Sequence, residues 1–142
     1  MKDSELSEPY VAYGYTDDNS IMNLIMLVRQ GVTFKAFEKF ARHFPYSLAE
    51  WSQFLHLSER SMQRYKKENR AFDPLQSEKI LEIVMLFKMG MDVFGSGEKF
   101  IFWLGTENIA LGGLKPVSLI DNTFGLSLLK DELTRIEHGV LA

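Results

Sequence analysis

The chain has 142 residues, of which 46% are hydrophobic and 25% charged, as is typical of one globular domain or two small ones. It contains no cysteine, which excludes disulfides and zinc–thiolate sites, and no apolar run approaches the roughly 18 residues that span a bilayer. We therefore expect a cytoplasmic protein without a membrane partner. The net charge of −3 is uneven, because the first 20 residues carry one lysine against five acidic side chains.

The order of elements along the chain is dominated by helical patterns. Residues 1–19 lack periodicity and are interpreted as a flexible tail, with Ser20 as a cap for the first helix. From Ile21 onward, apolar residues recur at helical spacing, and no segment alternates with period two. The sequence thus predicts an all-α fold of seven or eight short helices. Small polar residues stand where further helix N-caps belong: Thr33, Ser47, Ser58 and Thr123.

Two groups of aromatic residues are assigned to the core. Their number exceeds what a small helical domain needs, so part of the surplus also suits a homodimer surface. The terminal helical pattern has leucines at near-heptad spacing that suit packing within the chain or against a partner. The assigned aromatics are Phe34, Phe37, Phe40, Phe44, Phe94, Phe100, Phe102 and Trp103.

The pair of predicted helices on either side of His56 has the dimensions of a helix-turn-helix. Ser52 is the small residue needed between the helices, and Met62 is the apolar anchor of the second helix. His56 occupies the turn position at which a positive φ is needed and glycine is usual. With Met62 and Tyr65 buried, the DNA-facing candidates are Arg60, Ser61, Gln63, Arg64, Lys66 and Lys67. The same pattern also fits a solvated basic face between two structural helices.

Catalytic patterns are absent from the sequence. The three histidines, His43, His56 and His138, lie in separate segments, and none has the spacing of a metal site. The glycine-rich segments at Gly95 and Gly112 lack the spacing of a phosphate-binding loop. We therefore expect a protein that is not an enzyme and has neither a metal nor a cofactor.

The segment from Leu111 onward is the most specific part of the sequence. It contains Leu111-Gly112-Gly113, Pro116, Leu119-Ile120-Asp121, Gly125 and Arg135-Ile136-Glu137-His138-Gly139. Gly139 is placed to end the last helix, because glycine adopts the left-handed conformation without a Cβ penalty. The apolar residues that follow it are expected to fold back onto the domain or to fit into another protein.

This order of motifs resembles the Xre/MbcA/ParS antitoxins of bacterial toxin–antitoxin pairs, over roughly residues 20–142. The chain departs from the family pattern at Asn122, where threonine is frequent, and at His56, where glycine is common. The resemblance implies a helix-turn-helix DNA-binding domain over residues 20–91 and a toxin-binding domain over residues 92–142.

The function implied by the resemblance is neutralisation of a RES-domain toxin that consumes NAD. The antitoxin is expected to dimerise, to place its C-terminal segment at the toxin active site, and to bind operator DNA and repress its own operon. The toxin-facing candidates are Arg135, Glu137, His138, Gly139, Val140 and Leu141. Two alternatives remain open at this point: a helix-turn-helix regulator without a toxin partner, and a protein-binding module with a vestigial helix-turn-helix.

Overall fold

A computed structural model of the chain describes residues 18–139, which contain seven α-helices and two short 3-10 helices. No β-strand is present in this range, where the only ladder-like pairings are isolated bridges at Thr33–Ala71 and Asn108–Leu114. The all-α prediction is confirmed. The 3-10 helices are Ile109–Leu111 and Pro116–Leu119, and the α-helices are α1 Asp18–Gln30, α2 Phe34–Ala41, α3 Leu48–Leu55, α4 Glu59–Glu68, α5 Pro74–Phe94, α6 Gly97–Leu104 and α7 Thr123–Glu137.

Three of the predicted helix caps form as expected. The side chain of Thr33 accepts a hydrogen bond from the Ala36 amide (3.1 Å), and that of Ser58 accepts one from Ser61 (3.0 Å). Ser47 and Glu50 form a reciprocal capping box, in which each side chain accepts from the backbone amide of the other. These local bonds fix where α2, α3 and α4 begin.

Two predicted caps are wrong. Helix α1 already begins at Asp18, so Ser20 lies inside it, because polar residues are also tolerated in a first turn whose amides lack intrahelical acceptors. At α7 the cap is Asn122, whose Oδ1 accepts from the Gly125 amide at 2.7 Å, and Thr123 is the first helical residue. Asp18 and Asn19, which were predicted to belong to the flexible tail, are therefore helical, and the rest of that predicted tail, residues 1–17, lies outside the described residues.

The chain divides into two compact units, with the boundary between Met85 and Leu86 inside α5. In the first unit, α4 packs against α2 and α3. Its core is aromatic: the ring of Phe37 makes edge-on contacts with Trp51 and Phe72, at centroid distances of 5.2 and 5.5 Å. Such pairs contribute roughly 0.5–1.5 kcal/mol beyond the burial of their surface.

A buried hydroxyl connects the start of α5 to the α1–α2 corner. Ser77 is fully buried, and its Oγ accepts from the Val32 amide (2.9 Å) and donates to the Phe72 carbonyl (3.2 Å). At the same corner Gly31 has φ of +93°, and a Cβ there would lie 2.6 Å from the Phe72 oxygen. This corner therefore accepts only glycine at position 31, and it depends on a hydroxyl 45 residues further along the chain.

In the second unit, the 3-10 helix Pro116–Leu119 packs against both α6 and α7. Phe87 and Phe100 form an edge-on pair in its core, with ring centroids 5.4 Å apart. The assignment of Phe102 to the core is wrong, since this side chain is 74% exposed. Phe100 and Leu104 form the buried stripe of α6, and Phe102 lies on the opposite side of so short a helix.

Candidate functional site

The turn between α3 and α4 has the helix-turn-helix geometry that the sequence predicts. His56 adopts φ 56° and ψ 41°, in the left-handed region. Its amide donates to Gln53 O (3.3 Å), while the Leu57 amide donates to Ser52 O (2.9 Å). These two bonds form a Schellman ending, which glycine usually provides. The expectation of a positive φ at His56 is confirmed.

Helix α4 has one buried and one exposed side. Met62 and Tyr65 are buried, at 0% and 5% exposure. Four of the exposed candidates are Arg60 and the residues three, four and seven positions after it. This helical spacing places them together on the side opposite Met62 and Tyr65. We define the α4 basic face as Arg60, Gln63, Arg64 and Lys67. Three cations and one amide, which can donate to phosphates and to base edges, are therefore presented together.

The two other candidates on α4 lie at the margins of this face. Ser61 is half-buried and its Oγ accepts a hydrogen bond from the Ser58 hydroxyl (3.0 Å), so it takes part in the helix cap. The ammonium of Lys66 is 3.5 Å from a carboxylate oxygen of Glu38 on α2, with both side chains largely exposed. Ser61 is thus engaged in the helix cap, and Lys66 is paired with Glu38.

Sequence reasoning did not single out Arg70. Its guanidinium lies 4.8 Å from the ring centroid of Tyr65, while that of Arg64 lies 5.6 Å from the same ring. Asn69, which ends α4 with φ 47°, accepts at its Oδ1 a hydrogen bond from the Lys35 amide (3.0 Å). Arg70 follows directly after α4, and the left-handed turn at Asn69 brings its guanidinium onto the Tyr65 ring.

Helix α7 is held by a buried apolar side and by one ion pair. Leu126, Leu129 and Leu133 are buried. Glu132 is also buried, and the Nε of Arg135 donates to its Oε1 at 3.1 Å, with Nη2 donating to the same oxygen. The pair therefore holds the guanidinium of Arg135 against a nearly inaccessible carboxylate, while the arginine side chain stays half-exposed.

The toxin-facing candidates predicted at the end of α7 do not all lie on one side of the helix. At about 100° per residue, Arg135 and His138 lie on one side of the helix and Glu137 on roughly the opposite side, all of them exposed. Gly139 has φ of +72°, and its amide donates to Ile136 O at 3.0 Å, which ends the helix. Val140 and Leu141 lie outside the described residues.

The glycines at positions 112 and 113, before α7, and at position 125, within α7, have a structural explanation. Gly112 and Gly113 both have positive φ, and the Gly113 amide donates to Asn108 O (2.8 Å), closing a tight loop. The backbone of Gly125 approaches the Leu119 carbonyl so closely that an added Cβ would lie 1.8 Å from the oxygen. These residues therefore set the position and rotation of α7 against the 3-10 helix Pro116–Leu119.

Between Asp18 and Gly139, no group of three or more histidine and acidic side chains is arranged to hold a metal ion. No helix within the same range is long and apolar enough to cross a bilayer.

Comparison with known proteins gives matches to both units. Residues 24–85 match the model of the Antitoxin Xre-like helix-turn-helix domain, and residues 89–139 match that of the Antitoxin Xre/MbcA/ParS C-terminal toxin-binding domain. The chain is also similar to the protein Antitoxin Xre of Yersinia enterocolitica, with 33% identity over 84 residues. That alignment covers 58% of this chain and 57% of its relative, so it spans little more than half of the relative's length.

Proposed function

Since the chain belongs to the Xre/MbcA/ParS family of antitoxins, we propose that it neutralises a RES-domain, NAD-consuming toxin by placing its C-terminal segment in the toxin active site. The observation that carries the proposal is the ending of α7. Arg135 and His138 are exposed on one side of the last turn, and Gly139 redirects the chain immediately afterwards. The apolar residues Val140 and Leu141 then follow.

The proposed mechanism is steric occlusion. A helix anchored by three buried leucines is a rigid support, so the residues that follow Gly139 are delivered to the cleft with little loss of freedom in the helix itself. The guanidinium of Arg135, already oriented by Glu132, adds a fixed charge at the entrance. Inhibition therefore needs no chemistry from the antitoxin, only a fit that excludes the substrate.

Deletion of Gly139–Ala142 tests the occlusion mechanism. The deletion should abolish rescue of growth when the chain is co-expressed with its proposed partner, a RES-domain toxin. It should leave the helical circular dichroism nearly unchanged and lower the melting temperature only slightly, because Gly139, the described residue that it removes, contributes one capping hydrogen bond, to Ile136 O. Lys130→Ala, an exposed change on another side of α7, is the matched control and should rescue growth fully. Full neutralisation by the truncated chain would refute occlusion by this segment.

The second part of the proposal is autoregulation through the α4 basic face. A homodimer would present two such faces to half-sites about 34 Å apart, which is the usual arrangement for helix-turn-helix repressors. A protein that binds its own operator would act in the cytoplasm, where it would repress the transcription of the antitoxin gene and the toxin gene. The clustering of three cations and Gln63 on one side of α4 supports this proposal.

The DNA-binding proposal is tested by the double variant Arg64→Ala with Lys67→Ala. Loss of two phosphate-binding cations should weaken operator binding and reduce the slope of log K against log salt by up to about 1.8. The matched control is Lys99→Ala with Lys130→Ala, which removes two exposed cations from the other unit and should leave binding unchanged. Equal effects of the two double variants in a gel-shift titration would refute the assignment.

A further inference from the structure

One side of α7 is exposed along its whole length. Phe124 is 88% exposed and Leu128 is 44% exposed, although both are large and apolar. At about 100° per residue they share one narrow side of the helix with three further exposed residues. We define the α7 outer face as Phe124, Leu128, Asp131, Arg135 and His138.

The apolar end of this face cannot be hidden by rotation of the helix. Gly125 lies against the Leu119 carbonyl, and the leucines at positions 126, 129 and 133 are buried, so the rotation of α7 is fixed. The Asn122 cap also holds the first turn in place. Phe124 therefore stays in solvent in this chain, where an isolated exposed phenylalanine of this size is a feature of binding surfaces.

We infer that the toxin contacts the entire α7 outer face, with Phe124 and Leu128 as apolar anchors in a hydrophobic pocket beside the active-site cleft. This inference rests on the proposed function. Phe124 and Gly139 are 15 residues apart, so the contact would extend about 22 Å back from the segment that enters the cleft. The C-terminal segment would block the substrate, and the anchors would supply much of the affinity.

Continuity along the helix favours the toxin over a second copy of the chain as the occupant. Arg135 and His138, the toxin-facing candidates next to Gly139, belong to the same face as Phe124 and Leu128. All four lie within the range that matches a toxin-binding domain. The face is apolar at Phe124 and Leu128 and charged at Asp131 and Arg135. It therefore offers an apolar anchor at one end and polar contacts near the cleft at the other.

The test measures binding of Phe124→Ala and Leu128→Ala variants to the proposed partner, a RES-domain toxin. Each substitution removes an exposed side chain from a helix and introduces alanine, so the fold should be retained and the melting temperature unchanged. Loss of a large apolar side chain that becomes buried in a pocket of the toxin predicts a rise in Kd of about 30-fold or more for Phe124→Ala. Leu75→Ala, at a 77% exposed leucine in the other unit, is the matched control and should leave Kd unchanged.

The outcomes separate this inference from the proposed function. Unchanged Kd for both α7 variants, together with loss of neutralisation on deletion of Gly139–Ala142, would overturn the extended contact and leave occlusion standing. A change from dimer to monomer in light scattering without a change in Kd would assign the face to a second copy and overturn the inference. Absence of binding by the unmodified chain would overturn both.

Discussion

Gly125→Ala should destabilise the second unit through a clash with the backbone. An ideal Cβ at this position lies 1.8 Å from the Leu119 oxygen and 2.8 Å from its carbonyl carbon, well inside the 3.0 Å that real Cβ atoms respect. The obstructing atoms belong to the backbone, so no side-chain rotation can relieve the clash. Helix α7 must therefore move away from the 3-10 helix Pro116–Leu119.

The expected loss of stability follows from three effects, of which two destabilise the protein and one stabilises it. Overpacking of a close backbone contact costs roughly 1–3 kcal/mol. Displacement of the residue 125 amide also weakens the hydrogen bond that it donates to Oδ1 of the Asn122 cap, a loss of typically about 1 kcal/mol. Alanine recovers up to about 1 kcal/mol through its better helix propensity. The net destabilisation should be about 2 kcal/mol, with Tm lower by about 5–10 °C.

Thermal and urea unfolding followed by circular dichroism at the helical band provide the assay. Gly97→Ala is the matched control, because a Cβ at this other helical glycine meets only the Met91 side chain, at an ordinary 3.6 Å. The control should be as stable as the original chain or slightly more stable. If Gly125→Ala melted at or above the temperature of the original chain, the close approach of α7 to Leu119 would be wrong.

Three further substitutions test the first unit. His56→Gly should raise Tm by a few degrees, since it relieves a left-handed residue of up to about 1 kcal/mol of strain, and a lower Tm would contradict this. Burial raises the pKa of Glu82, so the charged form of this side chain opposes folding, and Glu82→Gln should stabilise the protein at pH 7. The gain in stability should vanish below about pH 4.5, where the carboxyl is protonated in the folded and the unfolded chain. A gain that persisted in urea titrations at acid pH would refute burial of the charge as its cause. Ser77→Ala should destabilise by about 1–3 kcal/mol because the Val32 amide loses its acceptor, and urea unfolding at an unchanged midpoint would exclude this role.

Much of the fold follows from short-range signals in the sequence. Thr33, Ser47 and Ser58 cap their helices through bonds that span three residues, so the sequence alone specifies them. The turn at His56 was placed by the same kind of reasoning, because the lengths of the two flanking helices leave one position for a positive φ. The exposed side of α4 also follows, since burial of Met62 fixes the rotation of the helix.

Features that depend on tertiary placement could not be predicted. The exposure of Phe102 and Phe124 depends on which side of α6 and α7 packs inward, and hydrophobicity alone assigns such residues to the core. The pairing of Arg135 with Glu132 follows helical spacing, yet the burial of that carboxylate is set by the packing of α7. The capping of α7 by Asn122 was missed because two adjacent residues are both good caps, and only the approach to Leu119 selects between them.

The Ser77 hydroxyl has a consequence for how the protein emerges from the ribosome. The N-terminal helices are synthesised first, but the Val32 amide at their corner has its acceptor 45 residues downstream, in the first turn of α5. Until that turn has been translated, the corner retains a polar group that water must satisfy, and the aromatic core around Phe72 remains open. Vectorial synthesis should therefore delay closure of the first unit until α5 begins to form, so that a nascent chain arrested before Ser77 would be a good substrate for proteases.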